Sequence, residues 1–130
     1  MTHTFTLLAD VTHEIEPPPD GTLSRTIYQD DQLKAVLFGF SAGQELSEHT
    51  ASTPAIMHFL IGDADVTLGA DLVTAKGGTW IHMPAQMPHS IRARTPVTML
   101  LLLLKQPPDR GGATNLAASS IAGQCSYRST

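Results

Sequence analysis

The sequence contains one cysteine, Cys125, so no disulfide can close within the chain, and a reducing compartment is the expectation. It has no basic excess. Eight Lys and Arg stand against 12 Asp and Glu, for a net charge of −4. The basic residues are scattered, which leaves no footprint for a phosphate backbone and no expected nucleic-acid partner. It also lacks a long apolar run. Residues 97–104 are interrupted by Thr98 and fall far short of the roughly 20 residues a membrane-spanning helix needs. That segment reads as a buried strand, and no membrane association is expected. Residues 1–10 show no basic stretch followed by an apolar one, so a cytoplasmic location is the default. Several catalytic signatures are missing as well: no G-x-S-x-G elbow, no glycine-rich phosphate loop, no H-E-x-x-H and no cysteine cluster. No two acids can be assigned to one cleft for glycosidase-type chemistry.

What the sequence does have is short β-like segments separated by turn residues. At 130 residues and 42% hydrophobic content it can close one core and not two. Residues 26–29 and 33–40 flank Asp30-Asp31, whose short polar side chains suit a tight hairpin turn, with Phe38 and Phe40 on one face. Residues 56–61, 65–68 and 71–75 are separated by Gly62-Asp63 and Gly69-Ala70. Residues 79–83 and 90–94 are bounded by Gly77-Gly78, Pro84, Pro88 and Pro96, residues that break a ladder. Such spacing predicts an all-β domain, a jelly-roll barrel whose closure removes exposed edges. We place an irregular N-terminal arm at 1–24, the barrel at 25–106 and a tail at 107–130 that is flexible or packed on a partner. Within the tail, residues 113–122 have too few large apolar side chains for more than a marginal helix.

Two spaced motifs lie inside the barrel region. Gly43 is followed after five residues by His49, and Gly62 closes that stretch; Gly78 is followed after five residues by Pro84 and then by Met87-Pro88-His89. This frame resembles the paired signatures of the cupin superfamily, G-x5-H-x-H-x3,4-E-x6-G and G-x5-P-x-G-x2-H-x3-N. With its flanking strands the resemblance covers roughly residues 33–104. It implies a single-domain cupin barrel with a pocket inside it, a homodimer paired through its sheets, and a divalent transition metal (Zn, Fe, Mn or Ni) held by three histidines and a glutamate.

The departures from the pattern bear on that metal. Ala51 stands at the second histidine position and Ala55 at the glutamate position, leaving His49 and His89 as the retained ligands. Gln86 stands where glycine is usual and Ala93 where asparagine is usual. His82 and His58 are the remaining candidates for an extra ligand. Strand alternation puts Met57 and Phe59 on the face of Ala55 and turns His58 away, toward a subunit interface. His82 shares a face with Trp80, and the turn before His89 leaves its direction open. Met57, Phe59 and His82 are therefore the candidate pocket lining, against the commoner roles of Met as core filler and His as a solvated side chain. Glu48 has the opposite parity to His49 and is a poor general base. His3 and His13 read as surface residues.

Three functional classes follow. The first is a binding barrel for a small molecule, with or without a divalent metal at its two histidines. The second is a metal-dependent enzyme of the dioxygenase, isomerase or lyase kind. The third is a structural barrel that holds no ligand. The ligands that metal chemistry would need are the ones replaced by alanine, which favours the binding class.

Overall fold

The computed structural model describes residues 4–105. The tail at 107–130, its marginal helix and Cys125 lie outside the described residues.

Nine strands form two antiparallel sheets: β1 (Thr22–Gln29), β2 (Leu33–Phe40), β3 (Glu45–His49), β4 (Ala55–Ile61), β5 (Ala64–Leu68), β6 (Asp71–Ala75), β7 (Trp80–Met83), β8 (His89–Ala93) and β9 (Val97–Leu104). One sheet runs β1-β2-β9-β4-β7 and the other β3-β8-β5-β6. The all-β barrel expected from the spacing of turns is what the chain forms. Two elements differ from the sequence reading. β1 starts at Thr22, four residues early, because its first residues pair across to Phe40, Gly39, Phe38 and Leu37 despite their polar character. β3 has Leu46 as its one large apolar side chain and gives no alternating signal, so it is formed by pairing with β8 rather than by its own pattern.

Local chemistry explains the turns. Asp30 closes the β1–β2 hairpin: its Oδ1 accepts from the backbone N–H of Gln32 (2.7 Å) and Leu33 (2.9 Å), and its Oδ2 accepts from the Tyr28 hydroxyl (2.6 Å). Those bonds, the Tyr28 hydroxyl first, hold the Asp30 carboxyl below its usual range. Gly62, between β4 and β5, has φ +95°, and a Cβ there would stand 2.1 Å from the Pro96 carbonyl oxygen. Glycine is required at that turn for both reasons.

The core lies between the sheets. Phe40, Met57, Phe59, Val66, Ile91, Val97 and Met99 are each at most 2% exposed. On the outer side of the five-stranded sheet the N-terminal arm crosses β2. It carries a 3₁₀ turn at Val11–His13, capped by Asp10, and Pro17 lies where a Cβ on Gly39 would touch it at 3.0 Å. Leu37, which faces outward, is fully buried. The arm, which includes Pro17, Pro18 and Pro19, thus covers part of the outer sheet face.

Candidate functional site

Two strands of the smaller sheet deliver the histidines. Leu46 opposes Ile91 and His49 opposes His89, so β3 spends three steps where β8 spends two. The extra residue is a β-bulge at Ser47-Glu48, and it turns both Leu46 and His49 to the face that carries Ile91 and His89, where Leu46 is half-buried and His49, like Glu48, is exposed. The two imidazole rings lie 4.1 Å apart between centroids, tilted by 58°. Each ring is anchored in the same way. His49 Nδ1 is 2.9 Å from the Ser47 carbonyl oxygen, and His89 Nδ1 is 2.9 Å from the Met87 carbonyl oxygen. A carbonyl only accepts, so both Nδ1 atoms carry the proton and donate it. Both Nε2 atoms then present lone pairs, as bases or hydrogen-bond acceptors.

The loops at this end lock the pair's surroundings. Residues 50–54 lead from His49 to Ala55, and residues 84–88 lead from Met83 to His89; the Gln86 N–H donates to the Ala51 carbonyl at 2.8 Å and ties the loops together. Gln86 has φ +70°. The turn keeps the left-handed geometry at the position where the motif has glycine, at a strain of roughly 1 kcal/mol for a residue with a Cβ.

Burial falls along β9 toward this end: Val97 and Met99 are closed off, whereas the inward-facing Leu101 and Leu103 are half-buried. On β2 the inward Lys34 at the same end is half-buried, while Val36, Ala55 and Met83 stay closed off. The histidine end is therefore less tightly closed along β2 and β9 than along β4 and β7. A surface cavity of about 570 Å³ lies elsewhere, between the arm and the outer sheet face, lined by Phe5, Leu8, Ile27, Tyr28 and Leu100 among others. Among the described residues its lining includes no histidine and no acid.

His89 is 4% exposed. Burial holds its pKa below the usual 6.5; the Met87 carbonyl partly opposes this, and the neighbouring His49 adds a smaller lowering contribution. Glu45 and Arg92 lie on the opposite face of these strands. A histidine with a lowered folded-state pKa gives stability that is full above its unfolded value and is lost as pH falls through 6.5 toward the folded value, because the unfolded chain then binds the proton more readily. Urea unfolding should accordingly show lower stability at pH 5.5 than at pH 7.5, a difference that shrinks in His89→Gln. An equal difference in that variant would assign the effect to other groups.

The structure brings His49 and His89 together and leaves the other candidates apart. Met57 and Phe59 face inward with Ala55, as alternation predicts, but they are 1% and 0% exposed and form the sealed core beneath the mouth. His82, whose direction the sequence left open, faces outward and is exposed: it opposes Ile56, while the inward Met83 opposes Ala55. It does not line the pocket. His58 also faces outward, opposite Trp80 and Leu100. Lys34 is absent from the sequence candidates, although the alternation that groups Phe38 with Phe40 places it on the same inward face.

Comparison with solved structures gives the family. A conserved protein of unknown function from Streptococcus pyogenes is 32% identical over 82% of this chain and 92% of its own, with a TM-score of 0.70. A cupin superfamily protein from Desulfitobacterium hafniense is 25% identical, covering 71% of this chain and 84% of its own, with a TM-score of 0.67. The chain belongs to the cupin superfamily. A cupin 2 conserved barrel domain protein from Leptotrichia buccalis also matches this cupin, at 27% identity over 75% of this chain and 46% of its own, TM-score 0.66. No family model matches the sequence, and no curated protein does.

Within this cupin the donor set does not fit a resident divalent metal. A structural site closes with four protein donors and a catalytic one with three. Among the described residues no group of three His, Cys, Asp or Glu side chains could hold an ion. The methyl groups of Ala51 and Ala55 supply no donor. What the pair can do is accept hydrogen bonds or a proton through Nε2 at this end of the barrel.

Proposed function

We propose that this cupin is a binding barrel for a small organic molecule, which enters at the histidine end and is oriented by His49 and His89 rather than by a metal. The observation that supports this is the pair of imidazoles, each fixed through Nδ1 on a backbone carbonyl, at the end of the barrel where the inward Leu101 and Leu103 are only half-buried. An apolar cavity with a few fixed polar groups is the general anatomy of a ligand site.

Two measurements test it. Metal analysis of untagged protein should return far less than one equivalent of any transition metal; near-stoichiometric metal, lost in His49→Ala or His89→Ala, overturns the metal-independent reading. A mixed library of small organic compounds should move the ring signals of both histidines in NMR spectra, and the responses should vanish in the same variants while the fold is kept. A library that moves neither histidine leaves the barrel without a binding role.

We further propose that the protein is a homodimer built on the outer side of the five-stranded sheet. Ile56 on β4 and the 57%-exposed Trp80 on β7 face outward there, two strands or more from the arm's contact with β2. Light scattering should return twice the 13.9 kDa of the chain, and a monomer at micromolar concentration would rule it out.

A further inference from the structure

The ligand reading above leaves the charge of the molecule open, and one side chain in the barrel addresses it. β2 pairs with β9 without interruption from Leu33 to Phe40, so its residues alternate strictly between the two faces. Phe38 and Phe40 stack on one another at 5.8 Å and pack into the core, which fixes the even-numbered positions as inward. Lys34 is on that face.

Its level in the barrel is set by the cross-strand register. Lys34 opposes Leu103 on β9, Leu103 opposes Ala55 on β4, and Ala55 opposes Met83 on β7. Met83 and Ala55 are the residues from which the two loops run to His89 and His49. Lys34 therefore belongs to the rim row at the histidine end, two strands from Ala55, or roughly 10 Å at ordinary strand spacing. Beside it on the inward face lies the half-buried Leu103, and one row deeper lie the half-buried Leu101 and the buried Val36.

An inward, half-buried ammonium normally has a carboxylate partner, since removing it from water without one is unfavourable. Among the described residues Lys34 has none: the ion pairs are His13–Asp10, Arg25–Glu14 and Arg94–Asp65, and the other nearby lysine, Lys105, is bonded to the Asp30 carbonyl. On the β9 side the inward residues of its row, Leu103, Ala55 and Met83, are apolar, and on the β1 side it stands opposite the exposed Gln29, which carries no charge.

We propose that Lys34 supplies the anion-binding end of the pocket, so that the ligand is a small organic acid whose carboxylate pairs with the ammonium, whose apolar body lies on Leu101 and Leu103, and whose far end reaches His49 and His89. This rests on the small-molecule reading and narrows it to one chemical class.

Matched acids and amides test it, because benzoate and benzamide, or hexanoate and hexanamide, differ little except in charge. Titrated at pH 7.5 and followed through the ring signals of His49 and His89, the acids should bind about tenfold or more tighter than their amides, the advantage of a charge-assisted over a neutral contact. Lys34→Met, which keeps the length and suits the apolar row, should erase that preference while the amides bind as before, and Lys34→Arg should preserve it. Amides that bind as tightly as acids, or a preference that survives in Lys34→Met, overturns the inference and leaves the small-molecule reading standing. Failure of both acids to bind also overturns it, and the mixed-library experiment then judges the broader reading separately.

Discussion

Gly62→Ala should destabilise the protein by about 3–5 kcal/mol, one of the largest effects available from a single methyl group in this chain. Two contributions add at this position. The turn holds φ at +95°, where a residue with a Cβ is strained by about 1–2 kcal/mol. The added carbon would also stand 2.1 Å from the Pro96 carbonyl oxygen and 3.0 Å from the Val97 Cα. Those are backbone atoms that lead into β9, the strand that joins β2 to β4, so they cannot swing aside as a side chain would. Urea unfolding should show a lower midpoint with an unchanged slope. Gly69→Ala is the control: φ is +61° but no atom lies within 4 Å of the added carbon, so the strain acts alone. Equal losses in the two variants would show that the contact with Pro96 contributes nothing.

Phe59→Ala should have a comparable effect for a different reason. Phe59 is fully buried in the cluster with Met57, Val66, Ile91 and Met99, and removing a buried benzyl group loses its transfer free energy and leaves a cavity that the surrounding strands cannot fill. The expected loss is about 3–5 kcal/mol. This prediction separates two roles for the residue. A wall of the ligand cavity could be truncated at small cost to stability and large cost to binding. Core packing predicts the reverse: a large fall in the unfolding midpoint, with the ring signals of His49 and His89 unchanged below it. Leu103, half-buried in the row of Lys34 and Ala55, should show the opposite balance.

The difference between Phe59 and Leu103 marks how far the sequence could be read. Alternation identified the inward faces of β2 and β4, because one side of each strand must be apolar to close a core. Alternation says nothing about depth along the barrel. Met57 and Phe59 look like pocket residues by parity and are sealed by position; Lys34 and Leu103 have the same parity and remain at the rim. Depth depends on which residues of distant strands stand side by side, as in the row Lys34, Leu103, Ala55, Met83, and register of that kind is not encoded locally.

His82 and β3 show the same limit from two sides. The direction of His82 could not be carried through the turn to His89, and pairing of Ile56 with His82 decided it. On β3, regular alternation would put Leu46 and His49 on opposite faces; the bulge at Ser47-Glu48 puts both on the face that carries Ile91 and His89, and only the fixed partner strand β8 reveals it.

By itself, the sequence determined that this protein is one all-β barrel of the cupin type. It also determined that His49 and His89 occupy the retained ligand positions and that alanines stand where further ligands would be. Turn residues, period-two apolarity and motif spacing are local properties, and each is written in contiguous residues. The tertiary structure alone decided that the two imidazoles meet at 4.1 Å, that both present Nε2 after bonding backbone carbonyls through Nδ1, that Met57 and Phe59 belong to the core, and that Lys34 stands at the rim of the pocket. Those outcomes depend on bulges and cross-strand register, which bring together residues 40 to 70 positions apart in the chain.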